Sequence, residues 1–233
     1  MFKLLSFDVY GTLMDTPPTN AKAFRVILEE AGASDVNPMQ FYQCWEKRNI
    51  VHYREPYRSY KAIGRLSLAE SFQHFGISGG SGDLVDRYFA MFPEMQPYPD
   101  VLRTLDNLGA RHRIALVSNI DDDLLQATPV PGGIDLVCTA ERARGYKPDG
   151  TLFRYLIANA GVPIPEILHS GQSQHTDMVG GKPLGLTVTW INRRNLELHP
   201  SVPKPDYVFP DRKSLLSLLA GSNAGGGHGR DRT

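Results

Sequence analysis

The chain has 233 residues, 41% of them hydrophobic, with 25 basic residues set against 25 acidic ones. That is apolar material for one large domain, or one domain carrying an insert, and the balanced charge gives no pull toward nucleic acid or a membrane surface. The two cysteines, Cys44 and Cys138, make neither a disulfide framework nor a metal spacing, so small core residues in a reducing cytoplasm are expected.

Residues 3–9 read as a strand with Asp8 near its end. That acid interrupts the first apolar run, so no signal peptide is expected, and no later run approaches the ~20 residues that span a bilayer. Residues 21–31 read as a helix with Phe24, Ile27 and Leu28 on one side. Two proline-containing joints, at 16–19 and 93–99, bracket segments with helical periodicity at 38–51, 60–75 and 82–92 and no convincing strand. Beyond the second joint, strands and helices alternate. Helices are predicted at 99–108, 149–160, 178–184 and 211–219, and strands at 112–118, 134–139, 167–170, 187–191 and 206–209. Gly161 is the expected stop of the third-last helix. The Gly-rich segment 221–233 is expected to be disordered.

This pattern implies an α/β fold: a Rossmann-like open parallel sheet with helices on both faces, built from residues 1–15 and 98–220. Residues 16–97 would form a helical cap inserted after the first strand. Ligands in such sheets bind off the carboxyl ends of the strands, where Asp8, Ser118 and Ser170 are predicted to lie.

Four segments carry chemistry. In "SFDVYGTL", Asp8 either caps a turn or serves as a carboxylate nucleophile. Gly11 lets backbone approach a charged group, and the Thr12 hydroxyl can hold the Asp8 rotamer. Ser118 and Asn119 follow an apolar strand. Lys147 stands before Pro148, which stiffens the loop that aims it. Asp177, in "GQSQHTD", is either a helix N-cap or a base or metal ligand. His169 and His175 fit no standard zinc pattern with it.

In order and spacing these segments resemble the haloacid dehalogenase superfamily. The resemblance covers nearly the whole chain and implies the fold and cap described above. Most members are Mg²⁺ phosphatases with a second acid two residues after the nucleophile, where this chain has Tyr10, a weak acid near neutral pH. Phosphatase relatives read GDSxxxD where this chain has Gln172. A phosphate dianion approaching Asp8 would meet like charge with only Lys147 to relieve it, whereas a halide departs as a stable anion and needs no proton.

"FDVYGTL" and "WINRRN" look like the metal-free 2-haloacid dehalogenase branch. That resemblance makes Asp8 the nucleophile that forms an ester and Thr12 its positioner. Ser118 would bind the substrate carboxylate, and Asn119 would help hold the halide. Lys147 would stabilise charge, Asp177 would activate water, and Tyr10 would pack on the substrate with its hydroxyl in the cleft. Arg48 is the candidate for the arginine such enzymes carry in the first cap helix. Phe41, Trp45, Arg48 and His52 share one helical face by spacing. Gln172 and Gln174, which replace a Ser and an Asn, complete the expected substrate-binding set.

The expectation is a hydrolase of small anionic molecules with no cofactor. A homodimer is an assembly the resemblance allows. Three alternatives stay open: a phosphatase with a rebuilt Mg²⁺ site, a hydrolase of another small 2-substituted or strained-ring acid, and a non-enzymatic binder. The basic residues Arg54, Arg58, Lys61 and Arg65 read as a solvated helix face or as a patch that steers small anions.

Overall fold

Leu4, Leu5, Ser6 and Phe7 are all buried, as a strand covered on both faces requires. The computed structural model describes residues 1–211 and 213–221, so the segment expected to be disordered lies, from residue 222 on, outside the described residues. Six strands form a parallel sheet: β1 (Leu4–Phe7), β4 (Arg113–Ser118), β5 (Leu136–Thr139), β6 (Ile167–Gly171), β7 (Thr187–Ile191) and β8 (Tyr207–Phe209). Two further strands, β2 (Met14–Asp15) and β3 (Gln96–Pro97), pair antiparallel as a short ribbon.

The sheet order is β5-β4-β1-β6-β7-β8. The chain therefore builds outward from β1 to one side, then crosses and builds to the other. The crevice at the carboxyl end of β1 is the topological switch point, where ligands bind in such sheets. Register brings the polar strand ends together there: Phe7 lies opposite Leu116 on one side and Ser170 on the other.

Between the ribbon strands runs a helical insert made of α1 (Pro17–Glu30), α2 (Pro38–His52), α3 (Tyr60–His74) and the one-turn α4 (Asp86–Phe89). Asn37 caps α2 by accepting from the Met39 and Gln40 amides at 3.0 and 3.1 Å, and Ser59 caps α3 by accepting from Ala62 at 3.2 Å. Helices α5 (Val101–Gly109), α6 (Asp122–Ala127), α7 (Ala140–Ala143), α8 (Thr151–Asn159), α9 (Val179–Gly181) and α10 (Lys213–Gly221) flank the sheet. Pro99 falls outside α5, and α6 and α7 carry no predicted counterpart. Gly161 ends α8 as expected, at φ +66°.

Alternation along β1 divides the core. Leu5 and Phe7 join an apolar cluster that continues through the insert to Phe24, Phe41, Trp45 and Phe92. Leu4 faces the other way, into a cluster with Val117, Phe153, Leu156 and Val188. Cys138 is buried there, while Cys44 is half-exposed on α2. Of Arg54, Arg58, Lys61 and Arg65, three are paired: Arg58 with Glu55, Lys61 with Asp123, and Arg65 with Asp86. That pairing leaves a solvated face rather than a steering patch, with Arg54 alone outside it. Among the described residues no helix is long and apolar enough to cross a membrane.

Candidate active site

Asp8 follows β1 directly, with its amide donating to the Ser170 carbonyl at 3.0 Å. Its two oxygens are both engaged. Thr12 Oγ1 donates to Oδ2 at 2.7 Å, and Lys147 Nζ donates to Oδ1 at 2.8 Å. Thr12 is aimed in turn by the Gln172 amide, which donates to its hydroxyl at 3.0 Å. Gly11 sits at φ +80°, and a Cβ there would lie 3.0 Å from Gln172 Nε2, so glycine keeps this approach open.

Lys147 is 1% exposed and gives its three protons to Asp8 Oδ1, Asp177 Oδ1 (2.7 Å) and the Val117 carbonyl (2.9 Å). A buried ammonium survives only when paired and fully hydrogen-bonded, and this one is both. Asn119 fixes the lysine's main chain at both ends: its Oδ1 accepts from the Lys147 amide at 2.7 Å and its Nδ2 donates to the Lys147 carbonyl at 2.9 Å.

Asp177 is fully buried behind Lys147. Its second oxygen accepts from the Ser173 amide at 3.0 Å, and His169 Nε2 lies 3.2 Å from the first. A carboxylate needs a donor, so His169 carries its proton on Nε2 and accepts from the Ser6 hydroxyl at Nδ1, 3.0 Å away. Ser173 is the cap of this turn, accepting from Thr176, so of the two readings of Asp177 the N-cap does not hold. Burial opposes its charge, but Lys147 and His169 outweigh burial and hold its pKa below the usual carboxylate range. For Asp8, burial wins over the lysine and the pKa is raised, with repulsion from Asp177 adding to the rise. Both carboxylates raise Lys147 against the cost of its burial. On acidification the proton goes to Asp8 first.

Above Asp8 lies a cavity of about 260 Å³ between the sheet edge and the insert, near the small end of ligand pockets. Tyr10, Ser118, Asn119, Lys147 and Gln172 line it, as expected of candidate site residues. Four expectations need correction. The Tyr10 ring lines the cavity, but its hydroxyl donates to Thr128 Oγ1 at 2.8 Å, because the Thr128 proton is already given to the Leu124 carbonyl. Burial then pushes the phenol pKa well up, so the group keeps its proton. Arg48 does not line the cavity; it pairs with Glu70 at 3.3 Å, beside His52 on the same acid. The inward face of α2 passes through Phe41, Trp45, Asn49 and His52, one residue away from Arg48. Gln174 also turns away, donating to the Glu197 carbonyl and accepting from the His199 amide, both at 2.8 Å, so it staples a loop. Asp177 reaches the cavity only through Lys147.

Sequence reasoning missed four groups. Arg194, exposed on the cavity wall, donates to Gln172 Oε1 at 3.3 Å; the arginine pair after β7 was its only signal. Its neighbour Arg193 is committed to Asp100 at 3.0 Å. From the insert come Glu46, Asn49 and Asn20, which lack any distinguishing motif.

Of the donors a Mg²⁺ ion would use, the carboxylate oxygens of Asp8 and Asp177 already accept hydrogen bonds from Lys147, Thr12 and the Ser173 amide. No group of three or more His, Cys, Asp or Glu side chains among the described residues is placed to hold a metal.

Fold and site together define an α/β protein with a lysine-bridged pair of aspartates at its switch point, roofed by helices. The chain belongs to the haloacid dehalogenase-like hydrolases, whose family model matches residues 5–191. It is 26% identical over 224 residues to (S)-2-haloacid dehalogenase 4A of Burkholderia cepacia, covering 92% of this chain and 90% of that one. It is also 24% identical over 226 residues to pyrimidine 5'-nucleotidase PynA of Streptococcus pneumoniae, covering 94% and 95%. The structure of L-2-haloacid dehalogenase from Xanthobacter autotrophicus with chloropropionic acid covalently bound shares the fold, with TM-score 0.80 and 22% identity over 95% of this chain and 99% of that one.

Proposed function

We propose that the protein is a metal-independent hydrolase that attacks carbon through Asp8, with small 2-haloacids as the concrete substrate class. One observation carries this reading. The carboxylates lining the cavity are Asp8 and, across from it on the insert, Glu46, while position 10 holds a phenol tied to Thr128. A phosphate ester needs its leaving alkoxide protonated and its dianion screened. A carbon–halogen bond needs neither.

In this reaction an Asp8 oxygen attacks the carbon bearing the halogen, and that bond's electrons leave with the halide. Thr12 and Lys147 hold the carboxylate in one orientation for in-line displacement. In this reading Arg194 and Ser118, both on the cavity wall, receive the acid group. Water then attacks the ester carbonyl of Asp8, releasing a 2-hydroxy acid and restoring the carboxylate. One of water's protons leaves on the hydroxyl of the 2-hydroxy acid and the other passes to solvent as the Asp8 carboxylate re-forms, with Asp177 holding the Lys147 ammonium beside it.

Release of chloride, bromide or fluoride from 2-halopropionates, assayed with a chelator present, tests the reading. Release by the wild type and none by Asp8→Asn supports it; silence toward all three halides sinks the dehalogenase form. The similarity to a nucleotidase favours a second reading, phosphate-ester hydrolysis, which predicts Mg²⁺-stimulated turnover of an aryl phosphate.

A further inference from the structure

His169 lies behind the site and does not line its cavity. It stands on β6 in register with Ser6 of β1, and Asp8 follows Ser6 by two residues. The ring is fully buried and packs edge-on against Phe153, with ring centroids 4.8 Å apart. Both of its nitrogens are spent inside the protein. The Ser6 hydroxyl donates to Nδ1 at 3.0 Å, and Nε2 donates to Asp177 Oδ1 at 3.2 Å. Lys147 donates to that same oxygen at 2.7 Å and to Asp8 Oδ1 at 2.8 Å. The contacts therefore run from Ser6 through His169, Asp177 and Lys147 to the attacking carboxylate.

A buried histidine with both nitrogens satisfied is ordinarily a core residue. The oxygen that this one holds sets it apart. Asp177 is fixed at its other oxygen by the Ser173 amide at 3.0 Å, and a Cβ at Gly171 would collide with its carboxyl group. His169 closes the remaining side, so the carboxylate presents Oδ1 to Lys147 in one orientation. As a neutral donor, His169 supplies that bond without a second positive charge. Two carboxylates and one ammonium then leave the cluster one net negative charge for the attack. We propose that His169 is a positioning residue of the reaction: its Nε2 proton fixes Asp177, Asp177 fixes the Lys147 ammonium, and the ammonium aims Asp8. The kinetic part rests on the carbon-attack reading; the positioning of Lys147 stands on the contacts alone.

Nitrogen-15 NMR of the histidine rings and lysine ammonium groups, in the wild type and in His169→Gln and His169→Leu, tests this alongside halide release from 2-chloropropionate. In the wild type the His169 ring should carry its proton on Nε2, and the Lys147 ammonium, shielded from water, should give a resolved signal. His169→Gln keeps a donor near the Nε2 position and should keep that signal and most of kcat. His169→Leu removes the donor. The Lys147 signal should then shift or broaden, and kcat should fall about tenfold or more with KM unchanged, since His169 touches no substrate. A histidine that serves the core alone would lower the melting temperature of His169→Leu and leave the Lys147 signal and kcat as they are, which overturns the proposal. Equal damage in the Gln and Leu variants overturns it too, as does a proton on Nδ1 in the wild type, a result that needs no variant to fold. No halide release by the wild type, with the Lys147 signal disturbed in His169→Leu, removes the carbon-attack reading alone. Halide release at the wild-type rate by His169→Leu removes the positioning role alone.

Discussion

Thr12 gives its proton to Asp8 and takes the Gln172 amide proton, so one hydroxyl sets the angle at which the attacking oxygen faces the cavity. Thr12→Val keeps the shape and removes the bond. A hydrogen bond to a charged group is worth about 1.5–3 kcal/mol, so kcat should fall by roughly 10–100-fold with the circular dichroism spectrum unchanged. The pH profile follows from Asp8 itself. Its pKa is raised above 3.8 by burial, and the reactive form is the carboxylate. Rate is therefore full above the raised pKa and lost as pH falls through it. The acid limb of kcat/KM should lie above 3.8, and a limb at or below that value contradicts the assignment. The motif spacing in the sequence pointed to Asp8, Thr12, Lys147 and Asp177, and the fold links them in one hydrogen-bonded chain, Thr12 to Asp8 to Lys147 to Asp177. What a side chain does when its partner is far along the chain was not legible. The Tyr10 hydroxyl ends on Thr128, and Arg48 ends on Glu70.

The insert is pinned to the sheet at the start of α3. The Asp121 carboxylate accepts from the Tyr60 and Lys61 amides at 2.8 and 3.0 Å, satisfying two donors that a helix N-terminus leaves open. Asp121→Ala removes both bonds. It should cost about 1–2 kcal/mol, seen as a melting temperature lower by roughly 2–8 °C, and KM should rise because the cavity loses part of its roof. An unchanged Tm would show that the contact holds nothing. Elements with long periodicity, such as α2 and α3, were legible within a residue or two. Helices of one or two turns, α6 and α7, were not, because so few residues define no period. The helix expected at 178–184 behind Asp177 starts earlier, with a turn over Gln174–Met178 capped by Ser173, and the acid is spent on Lys147 instead.

The molecule as a whole has one apolar cluster that crosses from the sheet into the insert, tying Leu5 and Phe7 to Trp45 and Phe92. Tyr53 of the insert stacks on Tyr146 at 4.5 Å, and the Tyr146 hydroxyl donates to the Arg58 carbonyl at 2.7 Å. Such continuity predicts that the two parts unfold together. The two tryptophans report on them separately, Trp45 in the insert and Trp190 on β7. Trp45→Phe and Trp190→Phe proteins should lose their remaining fluorescence signal at the same urea midpoint once each variant's own stability, from circular dichroism, is allowed for; split midpoints would mean the insert melts independently.

The account turns on an ester between Asp8 and substrate carbon. Rapid-quench mass spectrometry of the peptide containing Asp8, after mixing enzyme with 2-chloropropionate in chelator, tests it most directly. We expect a transient mass gain equal to one carboxyethyl group on Asp8, formed as chloride appears and lost as lactate forms. An unmodified Asp8 throughout, together with Mg²⁺-dependent hydrolysis of a phosphate ester, would contradict it.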